Sequence, residues 1–124
     1  MKIYIASAMF TPIQKARIEA RAKYLRQLGH EVYVPHELQI PNAYELSNND
    51  WAHEVFTHDV QAIDEADILY YYCEGMSGDV GAAWECGYAY AKGKRIVVDE
   101  LHETENISLM VAQSSHSLID SYQS

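Results

Sequence analysis

The sequence predicts an α/β fold: one domain over residues 1–124, built on a five-stranded parallel sheet in the order 2-1-3-4-5 with helices on both faces. Short apolar runs at 2–6, 31–35, 67–73 and 94–99 have the continuity of strands covered on both sides. Between them lie segments with helical spacing and recognisable end signals. At 124 residues, 48% hydrophobic and 22% charged, the chain can bury a core without disulfides or a structural metal.

"KIYIA" (2–6) is the first strand. "TPIQ" (11–14) starts a helix, with Thr11 as N-cap, Pro12 at the first position and Gln14 closing a capping box. Ile18, Ala22, Leu25 and Leu28 repeat at helical spacing, and Gly29 is placed to end the helix. "EVYVP" (31–35) is the second strand, stopped by Pro35. A polar segment, 36–50, leads through Asn48, Asn49 and Asp50 into a helix from about Trp51 to Glu65. "DILYYYC" (67–73) is the third strand, "GDVGAAWECGYAYAKGK" (78–94) carries the third helix with Asp79 as its N-cap, and "KRIVVD" (94–99) is the fourth strand. "ISLMVAQ" (107–113) reads as a short helix, followed by a weak strand near 115–119. The order 2-1-3-4-5 makes the fold flavodoxin-like, a Rossmann-like arrangement. Its ligands bind where strand order reverses, beyond the carboxyl ends of strands one and three. "ASAMF", with Ser7, and "EGMSGDVG", with Gly81, line that point.

Charge narrows the function. Nine Lys and Arg against eighteen Asp and Glu give a net charge of −9, which repels phosphate backbones and argues against a nucleic-acid polymer as partner. No apolar run approaches the ~20 residues that cross a bilayer, so no membrane partner is expected. Met1 leads directly into "KIYIAS" without a secretory signal pattern, and a cytoplasmic location is expected. Cys73 and Cys86 form no CxxC pair and suit buried, reduced positions. The six histidines include no i, i+4 pair, so neither a metal site nor a cofactor is expected.

Two carboxylates stand where apolar residues belong. From Val80 to Ala91 the one charged residue is Glu85. A helix apolar nearly all round is expected to be buried, and a buried carboxylate is costly unless something requires it. On the helix 51–65, the apolar stripe Ala52, Val55, Phe56, Val60, Ile63 is interrupted by Asp59. Each alone is open to a bland reading: a capped amide or ion pair for Asp59, a structural salt bridge for Glu85. Together, flanking strand three, they suit glycosyl transfer, with Glu85 as nucleophile and Asp59 as the acid near the leaving group. Gly75, Gly78 and Gly81 match no phosphate-loop pattern. The tyrosine run 70–72 reads as strand core, and His53 and His58 as solvated helix positions.

"KIYIASAMF", "GHEVYVPHELQIP", "WAHEVFTHDVQAIDEADI" and "GDVGAAWECGYAYAKGKRIVV" closely resemble, in that order and spacing, the nucleoside 2-deoxyribosyltransferase family. The resemblance runs from residue 2 to about 118. It implies a retaining two-step transfer of 2-deoxyribose between a 2′-deoxynucleoside and a free nucleobase, without a cofactor. Glu85 takes the place of the nucleophile, Asp59 that of the aspartate near the base, and Tyr4 that of the tyrosine supporting the nucleophile. Asp79 falls on the sugar-hydroxyl aspartate, Gln39 on the base-contacting glutamine, and Phe10 and Trp51 on aromatic walls. Many transferases carry Asn-Leu-Met after the fourth strand, the Asn reaching a neighbouring subunit's sugar. Here "ISLM" puts Ser108 at that position and Met110 two later. Such sharing implies a homo-oligomer, a dimer or larger. The related 2′-deoxynucleoside 5′-monophosphate N-hydrolases carry a serine there. Three readings therefore stand: a nucleoside transferase with slow hydrolysis when no acceptor base is present, a 5′-monophosphate N-glycosidase, and a nucleotide-binding sensor without chemistry. The absence of Lys and Arg from residues 3–14 favours the first.

Overall fold

The apolar runs at 2–6 and 67–73 become the middle of the sheet. The computed structural model describes residues 1–74, 80–100 and 107–120. Strands β1 (Lys2–Ala6), β2 (Glu31–Tyr33), β3 (Ile68–Cys73), β4 (Arg95–Glu100) and β5 (Ser117–Asp120) are all parallel, in the order β2-β1-β3-β4-β5. That is the expected fold and strand order. In β1 and β3, four and five consecutive residues are buried, as strands covered on both faces require.

Helix α1 (Pro12–Gln27) covers one face. Ile18 and Ala22 pack on Ile3, Ile5, Val32, Tyr70 and Tyr72. Its capping box is formed as the sequence indicates: the Gln14 amide donates to Thr11 Oγ1, and the Thr11 amide donates to Gln14 Oε1. Gly29 closes the helix at φ 94°, a left-handed geometry that strains residues with a Cβ, and the His30 amide reaches back to the Leu25 carbonyl. Leu28, expected on the core face, is the exposed C-cap instead.

Helices α2 (Asn48–Glu65), α3 (Val80–Ala91) and α4 (Leu109–Ser114) cover the other face. Ile63 of α2, Ala82, Cys86 and Ala89 of α3, and Val111 of α4 pack on Tyr4, Ala6, Leu69, Tyr71, Ile96 and Val98. The three small residues of α3 let it lie close to the sheet. Cys73 and Cys86 are buried and unbridged.

Two helices depart from expectation. Helix α2 starts three residues early, at Asn48, because Ser47 accepts from the Asp50 amide and serves as N-cap. Helix α3 is not buried all round: Trp84 and Tyr90 are about half exposed and Val80 mostly so, because only the face bearing Ala82, Cys86 and Ala89 meets the sheet. Between β2 and α2 lie two short 3-10 turns, Pro35–Glu37 and Ala43–Glu45. Among the described residues, no helix is long and apolar enough to cross a membrane.

Candidate functional site

A cavity of about 610 Å³ opens at the carboxyl end of the sheet, within the range of sites for small molecules. Ser7 and Met9 follow β1, and Pro35 follows β2. One helical wall is the α2 face Trp51, Ala52, Val55, Phe56, Asp59, Val60, Ile63; the other is Gly81, Trp84 and Glu85 of α3. The apolar stripe of α2, expected to face the core, is thus mostly the wall of an open cavity. Of the stripe only Ile63 is buried.

Glu85 is partly exposed, not engulfed as the apolar helix suggested. The Tyr4 hydroxyl donates to its Oε2. Tyr4 itself is wholly buried in β1, an inner strand of the sheet. Burial, and then the neighbouring Glu85 and Asp59, push its phenol far above the ordinary range, so it remains a neutral donor. Its hydroxyl therefore fixes the orientation of the carboxylate without competing for its charge.

Asp59 projects from α2, half-buried, and accepts from the Tyr33 hydroxyl at 3.0 Å. Burial raises its carboxyl above the ordinary carboxylate range; the Tyr33 hydrogen bond and His58 act in the opposite direction but do not cancel it. Tyr33 and Tyr4 are partners in the β1–β2 ladder, so their rings leave the same face and stack, with centroids 5.3 Å apart and planes at 13°. The two carboxylates thus rest on a stacked tyrosine pair. Around them, Phe56 meets Trp84 at 5.5 Å, and Trp84 stacks on Tyr88 at 5.5 Å and 5°. A planar, uncharged ligand suits these aromatic walls, and the carboxylates can hold or exchange protons with it.

Of the residues picked from sequence, Ser7, Trp51, Asp59, Gly81 and Glu85 line this cavity, and Tyr4 lies beneath it. Gln39 is exposed after the first 3-10 turn and does not line it. Phe10, 79% exposed beside the start of α1, does not line it either. Ser108 is the N-cap residue of α4, and Met110 borders a separate cavity with Ala83, Gly87 and Tyr90. Asp79 lies outside the described residues. Tyr33, Phe56 and Trp84 were not singled out as site residues. The signal for Tyr33 was its place opposite Tyr4 once strands one and two are paired, and for Trp84 its position next to Glu85. Among the described residues, no three His, Cys, Asp or Glu are grouped to hold a metal ion.

A sequence profile of the nucleoside 2-deoxyribosyltransferases matches residues 3–117. No curated protein matches the sequence. Among solved structures, the 2-deoxyribosyltransferase of Bacillus psychrosaccharolyticus is 33% identical, with 99% of this chain and 88% of that chain covered and a TM-score of 0.88. The CMP N-glycosidase of Clostridium botulinum is 23% identical over 98% of this chain and 90% of its own, with a TM-score of 0.68. A deoxyribosyltransferase of Leishmania mexicana is 23% identical over 82% and 65%, with a TM-score of 0.59. These last two likenesses are of fold. The profile spans nearly the whole chain and the Bacillus enzyme exceeds 30% identity across it, so this chain, an enzyme acting on nucleosides, belongs to the nucleoside 2-deoxyribosyltransferase family.

Proposed function

We propose that the protein transfers 2-deoxyribose from a 2′-deoxynucleoside to a free nucleobase by double displacement. The observation that carries this reading is Glu85, held by the Tyr4 hydroxyl at the wall of an aromatic cavity that also presents Asp59. In the first step a Glu85 oxygen bonds to C1′ from the face opposite the base. The C1′–N bond breaks, its electron pair stays on the base nitrogen, and the Asp59 proton passes to the leaving base. In the second step a nitrogen of the incoming base bonds to C1′, the ester to Glu85 breaks, and the surplus proton returns to Asp59. Two inversions give net retention. Water replaces the acceptor base slowly, giving free deoxyribose.

The raised proton affinity of Asp59 supports its part as proton carrier. Trp51, Phe56 and Trp84 supply faces against which a base can stack. A free nucleoside fits better than a nucleotide, because among the described residues no Lys or Arg lines the cavity, while Asp59 and Glu85 do. Arg17, near the carboxyl end of β3, is paired with Glu74 at 3.4 Å. Ser108 and Met110 lie outside this cavity in their own chain, and Met110 is 76% exposed, which supports their serving the site of a neighbouring copy in a homo-oligomer.

The test is to mix the protein with deoxyinosine and adenine and separate the products. Deoxyadenosine supports transfer, and free deoxyribose alone makes the enzyme a hydrolase. The absence of both refutes the nucleoside assignment, and the same assay with deoxyinosine 5′-monophosphate then separates an N-glycosidase, which releases hypoxanthine, from a binding protein. One observation favours a second reading, 5′-monophosphate N-glycosidase activity: Ser108 occupies the position at which the related hydrolases resemble this chain.

A further inference from the structure

We propose that Tyr33 is the positioning residue of the site: its hydroxyl holds Asp59 in place and sets how readily that carboxyl exchanges its proton with the nucleobase. The inference rests on the proposed part of Asp59 and extends it to a residue outside the set picked from sequence.

Tyr33 sits at the last position of β2, partly buried, and its side chain makes two contacts at once. Its ring lies flat on Tyr4, and its hydroxyl donates to Asp59 Oδ1 at 3.0 Å. The stack fixes the ring, so the hydroxyl cannot follow Asp59 if the carboxylate turns. Tyr4 does the same for Glu85. One tyrosine thus serves each carboxylate, and the two carboxylates have opposite duties: Glu85 must attack as an anion, while Asp59 must carry a proton.

The titratable groups around Asp59 come from each neighbouring element: Tyr33 from β2, Tyr4 from β1, Glu85 from α3 and His58 from α2 itself. Burial holds the Tyr33 phenol far above the ordinary range, with Asp59 adding to it, so Tyr33 remains a neutral donor while Asp59 changes charge. A neutral donor stabilises the ionised carboxylate more than the acid. Tyr33 therefore offsets part of what burial does to Asp59. Without the hydroxyl, Asp59 binds its proton more tightly: the protonated form that serves base release persists to higher pH, and the ionised form that accepts the proton of the incoming base is present only at higher pH.

The deciding experiment compares wild type with Tyr33→Phe, which keeps the stacked ring and removes one oxygen. Base release requires Asp59 protonated and Glu85 ionised, so Asp59 governs the alkaline limb of kcat/KM and Glu85 the acid limb. The alkaline limb is expected to move up by roughly one pH unit, the equivalent of one hydrogen bond to a charged group, while the acid limb stays in place. The Asp59 carboxyl carbon, followed by NMR, is expected to titrate at correspondingly higher pH. A site-specific Tyr33→3-fluorotyrosine substitution, a stronger donor of nearly the same shape, should shift both readings the other way. An Asp59 midpoint unchanged in both variants overturns the proposal, as does movement of both limbs together. The NMR titration needs no turnover: if wild type releases no base, the proposed reaction fails while the hold of Tyr33 on Asp59 is still decided.

Discussion

Phe56 of α2 and Trp84 of α3 meet at a tilt across the cavity wall, with centroids 5.5 Å apart and planes at 54°. Each is about half exposed, although both are large and apolar. An aromatic pair left open in a cavity is a surface for another ring. Trp84→Ala is expected to raise KM for the nucleoside by roughly tenfold, in keeping with the worth of one base–aromatic stack. The effect on kcat should be smaller, if the indole stacks on the base and takes no part in bond breaking. Steady-state kinetics with deoxyinosine read this; an unchanged KM would place the base elsewhere.

Replacing Glu85 by Ala should lower both base release and base exchange by at least about a thousandfold. The fold should persist, because the carboxylate borders a cavity and the core residues of α3 are Ala82, Cys86 and Ala89. Circular dichroism and product chromatography on the same sample separate the two effects. Activity retained at more than a few per cent of wild type would remove Glu85 from the chemistry.

Asp59→Asn should slow the release of bases that need protonation by about 10²–10⁴-fold, and much less for an activated leaving group. The same substitution should alter stability in a pH-dependent direction. Burial raises the folded pKa of Asp59, so its contribution to stability is fully present below the unfolded value of about 3.9 and is lost as pH rises through the folded value. Asn does not ionise and escapes that loss. The variant is therefore expected to melt higher than wild type at pH 7, with the gap closing towards pH 4. Thermal melts at the two pH values decide it, and an equal gap at both would mean that ionisation is not its source.

Ser108 separates the two candidate substrates. On a free nucleoside, Ser108→Ala should cost no more than about 1.5 kcal/mol, the worth of one neutral hydrogen bond. On a 5′-monophosphate the hydroxyl would meet a dianion, and the loss should be nearer 1.5–3 kcal/mol. The ratio of kcat/KM for deoxyinosine over deoxyinosine 5′-monophosphate, in both proteins, is the measurement. A wild-type ratio below one would overturn the nucleoside assignment.

Much of this could be read from the chain, and the exceptions share a cause. The strands and the Thr11–Gln14 capping box follow from local pattern, because the residues that make them are near in sequence; the strand order, which pairs Ile3 with Ile68, follows instead from the doubly wound class. Asp59 and Glu85 stood out as charges in apolar company. What the pattern does not carry is what covers an apolar face. The α2 stripe and the outer side of α3 read as core, yet one lines an open cavity and the other is partly exposed. The start of α2 is ambiguous in sequence because Ser47, Asn48, Asn49 and Asp50 are four capping residues in a row, and Ser47 takes the role. Tyr33 stands in the sequence as one residue of the second strand; its part depends on Asp59, twenty-six residues later.

Because Tyr4 and Tyr33 are neighbours in a parallel ladder, the sheet itself works as a ruler for the chemistry above it. The two rings stand apart by little more than the roughly 4.8 Å between adjacent strands, a length that no side-chain substitution alters. Larger or smaller bases must be accommodated by the helices and loops, whose positions can drift, while this gauge stays fixed. It is also digital. Deleting one residue within β2 ahead of Tyr33 would turn Tyr33 to the α1 side of the sheet and bring the Val34 side chain under Asp59, since strand side chains alternate. A chain altered in this way would lose the pairing of its two acids in a single step, together with the packing of β2 beneath α1.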